Sequence, residues 1–309
     1  MFSNVFVRLY FIGLWCVLMG TGPDLFAQRP FVTEKADGIY EIKVADVTLG
    51  IDASWGARIV SLRKGNQEVL TPATVHPENF GSTLWLSPQT WEWPPYPVLD
   101  QKPYQVKARK KTIRFTSEPD PASGFQMSKT FSVSRRNQSI QVDYRITNIS
   151  EKERKLAPWE VTRVRAGGIS FFPTGEPGGY SKSNLSTAER EGITWFTYKP
   201  DLVTGHQKMF RSGSEGWLAH VNDGLIFIKQ FPDIRVGQEA PREAEVEIYA
   251  NKERTYLELE NQGVYQTLLP GETVLWTVTW YLREIPSSVT PFEGNPKLVD
   301  LARTIVSER

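Results

Sequence analysis

From Tyr40 to Ile51 apolar and polar side chains alternate with a period of two. Ile42 and Val44 share one face. Val47, Leu49 and Ile51 repeat the pattern after a change of phase, which predicts two strands with a turn or bulge near Asp46. The same spacing predicts strands over 57–62, 112–116, 126–134, 139–148, 217–221, 225–230, 243–250, 255–262 and 273–282. Gly, Pro, Asn and Asp punctuate these segments at short intervals, as in Lys64-Gly65-Asn66. Near the end the period changes. Asn295 can cap a helix, Pro296 suits its first turn, and Leu298, Leu301 and Ile305 fall on one side. Two segments, 71–103 and 172–213, show no strand alternation and are expected as long loops, which in a compact domain usually carry function. The first holds Trp85, Trp91 and Trp93 beside Pro94 and Pro95. The pattern therefore predicts an all-β chain: one large antiparallel β-sandwich domain with a short C-terminal helix.

The N-terminus follows another logic. Arg8 precedes an uncharged apolar run from Leu9 to Met19, too short to span a bilayer comfortably. Leu25-Phe26-Ala27 then offers a cleavage site before Gln28. This is the pattern of a secretory signal peptide over residues 1–27, with an uncleaved N-terminal anchor as the alternative. Cys16, the only cysteine, lies within the run and follows Trp15 rather than the small residue a lipoprotein signal requires. The expected mature domain, 28–309, has no cysteine and no further membrane-length apolar stretch. It is expected in the periplasm or outside the cell, with a core that must hold it together without disulfides.

Charge and composition narrow the partners. Lys and Arg number 36 against 35 Asp and Glu, for a net charge of +1. Nucleic-acid binding normally shows a clear cationic excess, so that class is not expected. Aromatic residues make up 12% of the chain and include 10 Trp. Large sandwich cores use aromatics, and so do sites that stack on sugar rings. The three histidines, His76, His206 and His220, show no metal-ligand spacing, and no P-loop, dinucleotide or nucleophile-elbow motif occurs. Neither a metal nor a cofactor is expected.

The strongest local pattern is Tyr256-Leu257-Glu258-Leu259-Glu260-Asn261-Gln262. Strand alternation sets Leu257 and Leu259 on one face and Tyr256, Glu258, Glu260 and Gln262 on the other. Glu245, Glu247 and Tyr249 repeat this in the preceding strand, and the short link predicts a hairpin with acidic groups side by side. Such a row is unfavourable unless a cation such as Arg163 or Lys208 complements it. In Trp159-Glu160-Val161-Thr162-Arg163, Glu160 and Thr162 share one face, and Trp159, Val161 and Arg163 the other. A solvated outer face and a polar cleft wall both fit the acidic row.

Leu259-Glu260-Asn261-Gln262, followed by Leu268-Leu269-Pro270-Gly271-Glu272 and Trp276, resembles the C-terminal part of galactose mutarotases. Gly56 to Leu62, with Gly65 and Glu68, resembles that family's opening hairpin. The resemblance implies the mutarotase supersandwich and a sugar-binding concave face, with Glu260 in the place of the general base. The family's Asn-His-x-Tyr-Phe motif would fall near Trp159-Glu160, where no His stands; Glu160 takes that place as the candidate acid. A second family His and an Arg expected around 80–91 are also missing.

Three functions follow from this reading. One is an aldose 1-epimerase-like isomerase using Glu260 and Glu160. Another is a non-catalytic carbohydrate-binding protein, with Trp85, Trp91 and Trp93 against sugar rings and Arg163, Lys208, Glu258 and Gln262 on hydroxyls. The third is a glycosidase or lyase on the same fold.

Overall fold

The computed structural model describes Met1 and residues 31–308. Apart from Met1, the expected signal segment and the start at Gln28 lie outside the described residues. Phe31–Arg309 make one compact unit. It consists of an 11-stranded and a 10-stranded antiparallel sheet, closed over an apolar core that runs from Ile42 and Leu49 to Val278 and Trp280. The all-β sandwich expected from the alternation is the observed architecture. The turn near Asp46 separates strands Ile39–Val44 and Val47–Asp52. The helix spans Pro296–Ser307, with the Asn295 side chain accepting from the Lys297 amide. It packs Leu298, Val299, Ala302 and Ile305 on the outside of the second sheet. Among the described residues no helix is long and apolar enough to cross a membrane.

The two segments expected as loops contain strands. Ser82–Ser87 is a strand with all six residues buried. Its neighbours are Arg58–Lys64 and Arg154–Arg165. A strand covered on both faces has no polar side to betray it, so its sequence does not alternate. The second segment begins in the strand Ile169–Pro173 and holds Ala188–Arg190, Ile193–Thr197 and Gln207–Arg211. The last forms one end of the first sheet. A short helical turn, Pro97–Asp100, also adds to the single helix expected.

In the first sheet Ser82–Ser87, Arg154–Arg165, Tyr256–Gln262, Val246–Ala250 and Gln207–Arg211 lie side by side. Trp85 pairs with Trp159, Trp159 with Gln262, Val161 with Glu260, and Arg163 with Glu258. Glu260 pairs with Glu247, and Tyr249 with both Glu258 and Lys208. Directly paired residues project to the same side of a sheet. Trp85, Trp159, Arg163, Glu247, Glu258, Glu260 and Gln262 therefore share the face turned away from the second sheet. Their alternate neighbours Leu84, Leu257, Leu259 and Ile248 fill the core.

Candidate functional site

The acidic row is real and it is neutralised. Glu247 and Glu260 stand opposite one another across the hairpin, and both are 0% exposed. Lys208 reaches over from the end strand, with its Nζ 2.5 Å from Glu247 Oε2 and 2.8 Å from Glu260 Oε2. Arg163 donates from Nε to Glu258 Oε1 at 2.8 Å and from Nη1 to Thr83 Oγ1 at 3.1 Å. Gln262 ties this cluster to its surroundings: it accepts from Ser87 Oγ at 2.5 Å and donates to Glu247 Oε1 at 3.0 Å. Three carboxylates and two cations thus occupy one wall, and three buried atoms on it have no hydrogen-bond partner among the described residues: Glu247 Oε2, which faces the Lys208 ammonium, Arg163 Nη2 and Glu260 Oε1. A buried, unpaired polar atom is costly, so such atoms commonly mark where something else binds.

The electrostatics follow from the low dielectric. Burial raises the Glu247 carboxyl well above the usual carboxylate range, although Lys208 opposes the shift. Burial likewise raises Glu258 against the pull of Arg163. For Lys208 burial works toward the neutral form, but the two carboxylates outweigh it and the ammonium holds its proton more tightly than a free lysine.

Four tryptophans close one end of the wall. Trp85 sits at the centre, in edge-to-face contact with Trp91, Trp93 and Trp159 at 5.4, 5.7 and 5.4 Å between ring centroids. The Trp159 indole donates to Glu260 Oε2 at 2.8 Å, and Lys208 Nζ lies 4.9 Å from the Trp159 ring. The Arg163 guanidinium lies 4.8 Å from the Trp85 ring. Asp100 holds Trp85 in place: it accepts from the Trp85 indole at 3.0 Å and from Arg58 at 2.9 Å. Trp85 and Trp159 are buried, Trp91 is half-buried, and Trp93 is 46% exposed. At the other end, the His206 ring stacks on Tyr249, and His76 meets Tyr256 edge-on.

The candidate residues divide accordingly. Trp85, Trp91, Trp93, Arg163, Lys208, Glu258, Glu260 and Gln262 come together on the outer wall. Glu160 does not join them. Strand alternation sends it to the opposite face, between the sheets, where it is 0% exposed. It accepts from Tyr144 Oη and from the Trp280 indole. Lys229 Nζ lies 3.0 Å from its Oε1 and also donates to the Leu259 carbonyl at 2.9 Å. All three partner side chains come from the second sheet. The pairing of Glu160 with Glu260 across one pocket is therefore corrected: a full sheet thickness separates their side chains. His220 is likewise internal, bonded to Ser170, and burial lowers its pKa to about 4, so it is neutral.

Sequence reasoning missed two members. The sequence groups Trp159 with Val161 and Arg163 on one face without marking it as a site residue. Glu247 was noticed only as part of a charged row. The shared signal was the register between hairpin strands, since a Glu directly opposite Glu260 must share its cation.

Solved structures similar to this chain include a galactose mutarotase-like protein from Lactobacillus casei, 13% identical, with a TM-score of 0.60 over 80% of this chain and 100% of that one. A galactose mutarotase related enzyme from Lactobacillus acidophilus is 12% identical, with a TM-score of 0.56 over 82% and 99%. A galactose mutarotase-like protein from Clostridium acetobutylicum is 11% identical, with a TM-score of 0.52 over 80% and 95%. At such identities the likeness is one of fold, and that fold is the galactose mutarotase-like sandwich. No curated protein matches the chain by sequence. The family model described as "Domain of unknown function (DUF4380)" matches residues 86–283, a span that holds every residue of the outer wall named above except Ser82 to Trp85 and its His76 rim, and the chain belongs to that family.

Proposed function

We propose that this protein binds a carbohydrate on the outer wall of its first sheet. One observation carries the reading: a tryptophan cluster adjoins a polar row in which Lys208 and Glu258, 22% and 13% exposed, stand over buried ion pairs. Sugars present apolar ring faces and a fringe of hydroxyls, each both donor and acceptor. The Lys208 ammonium and a Glu258 carboxylate oxygen supply the complementary pair, and an indole face supplies the platform. The fold relatives named mutarotase-like support the same ligand class. The N-terminal pattern supports export, with a mature chain starting at Gln28. Mass spectrometry of the exported protein tests that start, and a retained leader or a lipid on Cys16 refutes it.

The binding reading comes first because Glu260 is sealed. Lys208, with 22% of its side chain exposed, covers the Glu247–Glu260 pair, so Glu260 reaches a substrate only if the ammonium moves. One observation favours an isomerase form of the reading. Burial raises the Glu247 carboxyl above the usual carboxylate range, and Glu247 stands on the same wall as the candidate base Glu260, so it is the candidate acid in the place that Glu160 cannot fill. Titration of the protein with sugars, followed by calorimetry and tryptophan emission, tests binding; a protein that responds to no sugar refutes it. Anomer interconversion followed by NMR tests the isomerase form. There Glu260→Gln is expected to slow the reaction by about 10²–10⁴-fold.

A further inference from the structure

We propose that the ligand is an uncharged oligosaccharide lying across the wall, rather than a single sugar held in a pocket; this rests on the carbohydrate reading above. The wall has two aromatic ends. Trp93, 46% exposed, stands at one. The stacked pair of His206, exposed, and Tyr249, half-buried, stands at the other. In the sheet, Trp85 and Tyr249 are three strands apart, and the register places Trp85 level with Gln262 and Tyr249 level with Glu258. At about 4.8 Å between strands and about 3.4 Å per residue, the path between them along the sheet is roughly 20 Å. That is longer than one pyranose ring.

The middle of this path is polar. Its accessible groups are Lys208 and Glu258, whose side chains are 22% and 13% exposed. Beneath them the ion pairs are closed, with Glu247, Glu260 and Arg163 all at 0% exposure. A ligand therefore meets a shallow polar floor between two ring platforms, which is the geometry of successive sugar units and not of one enclosed unit. The charges on this floor exclude an acidic glycan. Arg163 is engaged by Glu258, and Lys208 by Glu247 and Glu260. A uronate would bring a further negative charge to a wall whose cations Arg163 and Lys208 are already paired with carboxylates among the described residues.

The experiment is calorimetric titration with glucose and galactose, their neutral β-1,4- and α-1,4-linked oligomers of increasing length, and an oligouronate series. Affinity is expected to rise with chain length until both aromatic ends are covered, with the uronates weaker than neutral oligomers of equal length. Trp93→Ala and His206→Ala, both at exposed positions, should each weaken the longer ligands about 2–10-fold and leave thermal stability unchanged. Equal affinity for monomer and oligomer, or tighter binding of uronates, overturns the inference while leaving the carbohydrate reading intact. No response to any member of the panel overturns the carbohydrate reading itself.

Discussion

Glu160 and Lys229 form an ion pair with no solvent access at either side chain, separated by 3.0 Å. Removing one member strands the other. In Lys229→Met the Glu160 carboxylate keeps only the Tyr144 hydroxyl and the Trp280 indole, the latter at 3.2 Å. Both are neutral donors. Breaking a buried pair in this way costs about 3–5 kcal/mol. In Glu160→Gln the lysine keeps the Leu259 carbonyl as an acceptor. Burial already favours its neutral form, so it can release its proton, and the cost should be smaller, about 1–3 kcal/mol. With both replaced no buried charge remains. The double variant should be well short of the sum of the singles, with a coupling of about 2 kcal/mol or more. Urea unfolding at neutral pH, arranged as a double-mutant cycle, measures each quantity. Additive singles, or a Lys229→Met cost below about 1 kcal/mol, would refute the argument. The same variants test the placement of Glu160: with the fold intact, Glu160→Gln should leave sugar affinity unchanged, because its carboxyl faces away from the wall.

Three further outcomes are expected. Lys208→Met leaves Glu247 and Glu260 facing each other without a cation; stability at neutral pH should fall by about 3 kcal/mol and partly return on acidification, as chemical unfolding across pH will show. Glu245 is buried and accepts from the Gly213 and Ile234 amides, and burial raises its pKa to about 7 from 4.5. The folded state thus holds a proton that the unfolded state releases, so this group's contribution is complete below about pH 4.5 and is lost as pH rises through about 7, amounting to about 3 kcal/mol. Glu245→Gln should flatten that part of the stability–pH curve. Asn295→Ala removes the helix cap and should cost about 1 kcal/mol in thermal unfolding, without effect on ligand binding.

Much of this molecule was legible in the chain because many of its strands carry apolar side chains on one face and polar ones on the other. Where one face meets the core and the other meets solvent or the polar wall, as in Ser139–Asn148 and Tyr256–Gln262, alternation names the element and sorts its side chains. That sorting alone placed Glu258, Glu260 and Gln262 together, opposite Leu257 and Leu259. It also separated Glu160 from Arg163 within one strand. It was silent where both faces are covered. Ser82–Ser87 is buried throughout and so reads as no pattern at all, although it carries Trp85 and borders the wall. Nor does alternation say which of two faces is the core. Since burial is ordinarily apolar, the face of Trp159 and Val161 is the one that composition alone would favour as core over the face of Glu160 and Thr162. The second sheet reversed this. By bringing Lys229, Tyr144 and Trp280 against Glu160, it made a charged residue the interior one. The loops and end strand then roofed the other face with Trp91 and Lys208. Short-range periodicity comes from backbone geometry and is written locally. The choice between faces depends on partners from other strands, Trp280 lying 120 residues from Glu160, and only tertiary packing supplies them.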